Sequence, residues 1–119
     1  MSTKIEKTEL EIIIDDILQL SGITSNLKGY TYIKEAISIA YSKPETFGMV
    51  TKMIYPEIAE KHNLNSNNIE IRIRTAIEKA WKQGEVINFY KKMGFQWMDR
   101  RPTNSEYIFM VVEYLNNLQ

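Results

Sequence analysis

Apolar side chains recur every three or four positions in several stretches of the chain, which is the spacing of an α-helix with one buried face. The first stretch contains Leu10, Ile13, Ile14, Ile17 and Leu18. Thr8 and Glu11 stand at its start as a predicted capping box, and Gly22 follows it as a stop signal. The second stretch, which ends before Pro44, contains Ile33, Ala36, Ile37, Ala40 and Tyr41. Both stretches predict amphipathic helices.

Two further stretches with this spacing lie in the middle and at the end of the chain. The middle one contains Phe47, Val50, Thr51 and Ile54. Proline is tolerated in the first turn of a helix and not inside it, so Pro56 predicts a kink or a new short helix over PEIAEKH. The last stretch, behind a predicted capping box of Thr103 and Glu106, contains Ile108, Val111, Val112, Leu115 and Leu118. No Asn-Gly or Asp-Gly hairpin signal occurs, and the pattern predicts an all-α fold.

The segment NNIEIRIRTAIEKAW, residues 67–81, begins with the alternation of a half-buried strand and then loses it. On a helical projection of about 100° per residue, five of its apolar side chains fall in one stripe roughly 100° wide. They are Ile69, Ile73, Ala76, Ile77 and Ala80. A strand accounts for only the first half, whereas a helix accounts for both halves and ends at Gly84. We therefore predict one continuous helix over residues 67–82, with Ile71 exposed on the face opposite the stripe.

The short helix PEIAEKH and the long helix are joined by NLNSN, an arrangement typical of a helix-turn-helix. Ala59 is small enough for a close helix crossing, and Asn63 tolerates the left-handed conformation of a tight turn. Leu64 is placed to pack beneath the turn, and Ser66 or Asn67 to cap the second helix. Ordinary helical hairpins share this spacing, so a solvated charged face on a helical bundle stays open as an alternative.

Charge is distributed unevenly, although the chain of 119 residues has a net charge of zero. Residues 1–60 hold 6 Lys and Arg against 9 Asp and Glu, whereas residues 61–101 hold 9 against 4. A local basic surface can bind phosphate even when the total charge is neutral. The basic segment contains the predicted helix-turn-helix and a second group of cations, Lys91, Lys92, Arg100 and Arg101. For this group both phosphate contact and free solvation stay open, and Trp97 beside it is open between packing and a partner surface.

The residues that catalysis or metal binding would require are scarce. There is no cysteine, and His62 is the only histidine, so no His pair for a metal can form. Asp15 and Asp16 point about 100° apart on a helix, and we expect both on a solvated face. We therefore expect no enzymatic activity, no metal and no cofactor. The polar N-terminus and the short apolar runs predict a cytoplasmic protein without a membrane segment.

Four blocks of the chain carry a family resemblance: KGYTYIKEAISIAY, TKMIYPEIAEKHN, RTAIEKAWKQG and RPTNSEYIFMVVEYL. In this order they resemble the C-terminal effector domain of stage zero sporulation protein A, the response regulator that starts sporulation. The resemblance implies a single six-helix all-α domain over residues 1–119, with its helix-turn-helix at about 56–83. It also implies DNA binding through the helix near Asn67, transcription regulation and contact with RNA polymerase. Only about seven residues precede the first predicted helix, so we expect no receiver domain and no switching by phosphorylation.

The predicted reading helix departs from the family pattern, which is approximately Ser-Arg-Val-Glu-Arg-Ala-Ile-Arg-His. Residues 67–75 of this chain are Asn-Asn-Ile-Glu-Ile-Arg-Ile-Arg-Thr. Glu70 and Arg74 are kept, and Thr75 replaces the histidine. Asn68 and Ile71 stand where the resemblance implies two arginines that read bases. Because asparagine can pair with adenine and isoleucine can contact a thymine methyl, either the target has moved toward A·T pairs or specific reading is lost.

Two functions of different classes follow. The first is a stand-alone DNA-binding regulator of transcription, with double-stranded DNA as its partner. Its phosphate contacts are assigned to Arg74, Thr75 and Lys79. Its base contacts are assigned to Asn67, Asn68, Glu70 and Ile71. The alternative is a protein-interaction module that antagonises or titrates the full-length sporulation regulator or its polymerase contact. Its candidate partners are the RNA polymerase sigma subunit and a full-length regulator. A second copy of the chain on DNA is a further candidate partner.

If the docking geometry of the family is retained, we predict that this protein binds the G·C-containing box of the family poorly. Two lost bidentate arginine contacts, at roughly 1–3 kcal/mol each, correspond to about 30-fold to 10⁴-fold in affinity. The double change Asn68→Arg with Ile71→Arg should restore a good part of the binding. Titration against the box and a scrambled duplex at one salt concentration measures the ratio, and an equal gain on both duplexes contradicts docking in the major groove.

Overall fold

The computed structural model describes residues 5–94 and 100–118 of the chain. This part contains six α-helices and no strand. The helices are α1 (Lys7–Leu20), α2 (Gly29–Ser42), α3 (Tyr55–His62), α4 (Ser66–Lys82), α5 (Glu85–Met93) and α6 (Asn104–Asn117). The predicted all-α fold of six helices is confirmed. Within these residues no helix is long and apolar enough to cross a membrane. Trp97 lies outside the described residues.

The first helix ends as predicted but begins differently. Gly22 adopts a left-handed φ of 80° just past the last turn, a position that favours glycine. The predicted capping box of Thr8 and Glu11 is wrong, because the N-cap is Glu6 and no side chain caps the helix. Thr8 already lies within the first turn, so its hydroxyl does not stand at the helix boundary, where a cap must be.

The segment between α2 and α3 differs from the helix predicted for it. A 3₁₀ turn (Pro44–Thr46) follows α2, and a π-helical turn (Val50–Ile54) runs directly into α3. Both apolar ends of the π turn are buried, but Phe47 is 76% exposed and does not belong to the predicted apolar face. Gly48, at a φ of 74°, separates the two turns. Pro56 lies in the first turn of α3, as predicted for a new short helix.

The core is organised around α2, which packs against α1, α4 and α6. All five apolar side chains of the stripe predicted on α4 are buried. From the last two helices, Phe89, Tyr90 and Tyr107 contribute the largest fully buried side chains. Because the stripe faces this core, the polar face of α4 is directed outward.

Asp15 is half-buried and paired, so the prediction of a solvated face holds for this residue only in part. The packing of α1 against α2 brings its carboxylate to two side chains of α2. Asp15 accepts a hydrogen bond from the hydroxyl of Tyr30 and pairs with the Lys34 ammonium at 3.0 Å. Burial, reinforced by the neighbouring Asp15 carboxylate, raises the pKa of Tyr30 to about 12. Asp16 is exposed, as predicted.

The first residue of α2, Gly29, lies directly against the backbone of α4. A Cβ atom built on Gly29 would lie 2.2 Å from the carbonyl oxygen of Arg72 and 3.0 Å from the Cβ atom of Ala76. Carbon atoms do not approach a backbone oxygen that closely, so a side chain here would push the two helices apart. The missing side chain of Gly29 therefore sets the depth at which α4 docks on α2.

We predict that Gly29→Ala lowers the free energy of unfolding by about 1–3 kcal/mol, as overpacking of a close contact does. The loss occurs although alanine is the better helix former. The control is Thr31→Ala, an exposed position in the same helical turn. Urea denaturation followed by circular dichroism measures both variants, and a Gly29→Ala protein as stable as the wild type would contradict the close contact.

Candidate nucleic-acid interface

The turn between α3 and α4 has the predicted helix-turn-helix geometry. Asn63 follows α3 in the left-handed conformation, at φ 56° and ψ 44°. The N–H of Leu64 donates to the carbonyl of Ala59 at 2.8 Å, and the Leu64 side chain packs against the core. Ala59 is buried, and α3 packs against α4. The roles predicted for Asn63 and Leu64 are therefore confirmed, and the burial of Ala59 is consistent with the role predicted for it.

The cap of α4 is Asn65 and not Ser66 or Asn67, so that prediction is wrong by one or two residues. The backbone of Asn65 is extended, and Ser66 is already helical. The Asn65 side chain accepts a hydrogen bond from the N–H of Asn68 at 2.8 Å, and the Asn68 side chain accepts one from the N–H of Asn65 at 3.4 Å. This reciprocal capping box satisfies two backbone donors at the start of the helix. The side-chain oxygen of Asn68, a residue assigned to base contacts, thus helps to cap the start of the helix.

The predicted continuous helix is confirmed, because α4 runs unbroken over 17 residues and Ile71 is 40% exposed. All seven candidate contact residues lie on α4. The exposed ones are Asn67, Ile71, Arg74, Thr75 and Lys79. Asn68 and Glu70 are half-buried. The structure therefore brings the seven residues to one helix and presents five of them openly.

One flank of this exposed face, on the side of α6, has its charges paired. The Arg74 guanidinium lies 3.3 Å from the Glu70 carboxylate, one helical turn away. Further along, Arg101 lies 3.7 Å from Glu78. Each pair places a carboxylate beside an arginine, so the positive charge on this flank is partly neutralised.

The other flank, on the side of α2, contains a shallow groove of about 300 Å³. Its lining includes Ile71, Thr75 and Lys79 from α4. Arg72, which was not among the predicted contact residues, lines it as well. Lys28, in the turn before α2, completes a wall that contains no acidic residue.

Asn104, at the start of α6, fixes α4 from a third direction. Its side-chain amide is 9% exposed and donates to the Tyr55 hydroxyl at 2.9 Å and to the backbone carbonyl of Glu70 at 3.2 Å. One side chain thus joins the start of α3, the first half of α4 and the start of α6. Burial raises the pKa of Tyr55, so its hydroxyl stays protonated and acts as the acceptor for Asn104.

The capping box predicted for α6 is confirmed and holds Asn104 in place. The N–H of Glu106 donates to the Thr103 hydroxyl at 3.1 Å, and the N–H of Thr103 donates to the Glu106 carboxylate at 2.8 Å. Arg100 adds two further hydrogen bonds to this carboxylate, both of 2.8 Å. The hydrogen bonds from Arg100, and to a smaller extent the one from the Thr103 backbone, lower the pKa of Glu106 to about 2. Of the second basic group, Arg100 is therefore bound to the helix start, while Lys91 and Lys92 are exposed.

His62 is the last residue of α3, and it links the helix-turn-helix to α2. Its Nε2 atom lies 2.9 Å from both carboxylate oxygens of Glu35, and its ring meets Tyr32 edge-on at 5.0 Å. Lys61 adds an ion pair of 3.1 Å to the same carboxylate. In the described part of the chain, no three acidic or histidine side chains come together in a way that could hold a metal ion.

The family model described as "Sporulation initiation factor Spo0A C terminal" matches residues 14–115. The chain belongs to this family. The match begins within α1 and ends within α6, so it includes every element that positions the interface. The family is a DNA-binding effector domain of sporulation and not a catalytic one, and the resemblance carried by the four sequence blocks is confirmed.

Three residues of this effector domain were not identified from the sequence. Arg72 falls beside the buried stripe on the helical projection, which gave no reason to assign it to a contact face. Lys28 and Asn104 are distant from α4 in the sequence, and only packing brings them to it. The dipeptide Lys28-Gly29 was a possible signal, because a glycine at a helix start is consistent with a close helix approach.

The lowered pKa of Glu106 generates a pH dependence of stability. Its value of about 2 in the folded domain lies below the ordinary 4.5, so the stabilisation is complete above pH 4.5 and is lost as the pH falls toward 2. We predict that wild type and Glu106→Gln differ most in free energy of unfolding above pH 4.5 and converge near pH 2. Urea denaturation at several pH values measures this difference. Glu113→Gln, at an exposed position on the same helix, is the control and should show no such convergence.

Proposed function

We propose that this chain regulates transcription by placing α4 in the major groove of double-stranded DNA. The observation that carries the proposal is that the second helix of the helix-turn-helix has its apolar stripe buried and its polar face open. In this motif the second helix reads base edges while the first crosses the backbone. The contacts of α4 with α2, α3 and α6 supply the rigidity that sequence reading needs.

The proposed contacts divide by position along α4. Asn67 and Ile71, both exposed, face the bases, and a thymine methyl is the partner that suits Ile71. Asn68 and Glu70 stay assigned to the base side, although one is engaged in the capping box and the other in an ion pair. The phosphate contacts are Arg74, Thr75 and Lys79. Hydroxyl and cationic side chains are those that most often contact the DNA backbone.

We further propose that residues 1–119 form one functional unit that binds DNA without another domain. This unit would act in the cytoplasm, where the DNA of a sporulating cell lies. The RNA polymerase sigma subunit and a second copy of the chain on adjacent DNA are the additional partners that the family resemblance suggests.

Selection from random duplexes at two salt concentrations tests the proposal and gives the target. We predict that affinity falls with salt by about 0.9 in the log–log slope for each phosphate neutralised. The selected duplexes should be enriched in A·T pairs. Ile71→Ala should lower the preference for thymine roughly fourfold, the equivalent of about 0.8 kcal/mol for one methyl contact. Wild-type binding that does not respond to salt would contradict the DNA-binding proposal.

The second candidate function is the protein-interaction module, and an exposed apolar cluster favours it. The ring of Phe47 is 76% exposed and meets Phe109 edge-on, with centroids 5.1 Å apart. The two rings border a groove of about 430 Å³ that also contacts Met110 and Glu113. Exposed apolar clusters on soluble proteins often mark contact sites for other proteins.

One experiment distinguishes the two functions. The chain is titrated into a complex of the full-length sporulation regulator with its DNA box, and release of the regulator is measured. A chain that releases the regulator without binding duplex, and loses this effect with Phe47→Ala, is an interaction module. A chain that binds duplex directly, and retains binding with Phe47→Ala, is a DNA-binding regulator.

A further inference from the structure

The two flanks of the exposed face of α4 differ in charge. On the α6 side, Arg74 and Arg101 each have a carboxylate partner. On the α2 side, Lys28, Arg72 and Lys79 line one groove, and no ion pair joins any of them to another side chain of the described part of the chain. Along the middle of the reading helix, from Glu70 to Lys79, the positive charge without a carboxylate partner therefore lies on the α2 side.

Lys28 reaches this flank because its neighbours are fixed. Gly29 is packed against the Arg72 carbonyl, and Leu27 is half-buried against the core. The turn is closed by hydrogen bonds from the N–H of Leu27 to Thr24 at 3.0 Å and from the N–H of Tyr30 to Leu27 at 3.1 Å. Lys28 is thus held beside α4, although 43 residues separate it from Ile71 in the sequence.

We propose that Lys28, Arg72 and Lys79 form a phosphate-binding strip that holds one DNA strand along the α2 side of α4. This inference rests on the proposed DNA-binding function and adds a second element, the turn before α2, to the interface. Arg72 and Lys79 are seven residues apart, or roughly 10 Å along the helix, so they contact different phosphates. Lys28 supplies a third cation from outside the helix-turn-helix.

The remaining lining of the groove fits the same ligand. Between the three cations, the groove surface is formed by Leu27, Ile71 and the methyl-bearing side chains of Thr75 and Ala76. A DNA strand alternates charged phosphates with apolar sugar faces, and both parts find partners where three cationic side chains border a mainly apolar groove. No carboxylate lies in this lining, whereas on the α6 side a phosphate bound by Arg74 would also meet the Glu70 carboxylate.

The test compares single-charge variants of the full chain by fluorescence anisotropy with a mixed-sequence duplex at four salt concentrations. Lys28→Ala, Arg72→Gln and Lys79→Ala are each expected to lower the log–log salt slope by about 0.9 and to weaken all sequences alike. Lys28→Arg, which keeps the charge, should retain the wild-type slope. The matched control is Lys7→Ala, an exposed lysine that lines a groove with the other end of α2 and should leave the slope unchanged.

The outcomes separate this inference from the function on which it rests. A wild-type slope that is lowered by Lys28→Ala but not by Lys7→Ala supports the strip. A wild-type slope that both variants leave unchanged overturns the strip and keeps the DNA-binding function. A wild type without salt-dependent binding overturns both. If an acidic amphipathic peptide binds the groove and loses affinity with Lys28→Ala while duplex binding does not, the groove is a protein site and the strip is wrong.

Discussion

The placement of α4 depends on the contact between the backbone of Gly29 and the carbonyl of Arg72. Only a residue without a side chain fits there, because a Cβ atom on Gly29 would lie 2.2 Å from the Arg72 carbonyl oxygen. This close approach brings the turn before α2 to the side of the reading helix. Asn104 then fixes the first half of α4 through the Glu70 carbonyl. A helix held at two points loses little further freedom when it binds, so more of the contact energy is available for affinity.

At Asn68, helix stability and base reading draw on the same side chain. Its oxygen completes the capping box with Asn65, and a helix cap of this kind contributes about 1 kcal/mol. Replacing Asn68 by arginine would add a bidentate base contact and remove half of the box. Ile71 carries no such structural duty, because its side chain is 40% exposed and opposite the buried stripe. Change at Ile71 can therefore alter sequence preference at a smaller cost in stability.

The net charge of the chain is zero, but charge is distributed unevenly over the surface, and this local distribution matters for binding. Pairs such as Arg74 with Glu70 and Arg100 with Glu106 use cations for structure, and these cations are less available to a polyanion. The three cations on the α2 side have no such partners in the described residues. Electrostatic attraction between exposed groups fades beyond roughly 10 Å at ordinary salt, so this local excess and not the sum decides whether DNA is attracted.

Local patterns in the sequence determined α1, α2, α4 and α6, the buried stripe of α4, the left-handed turn at Asn63 and the capping box at Thr103, because these features depend on residues within a few positions of one another. The count of six helices followed only from the family resemblance, since no apolar spacing marked α5. The local patterns missed the start of α1, the position of Phe47 and the partners of Asp15. Only the tertiary structure decided which cations are neutralised and that Lys28 and Asn104 meet α4. Such contacts join residues far apart in the chain, and a local sequence pattern does not indicate which distant residues packing will bring together.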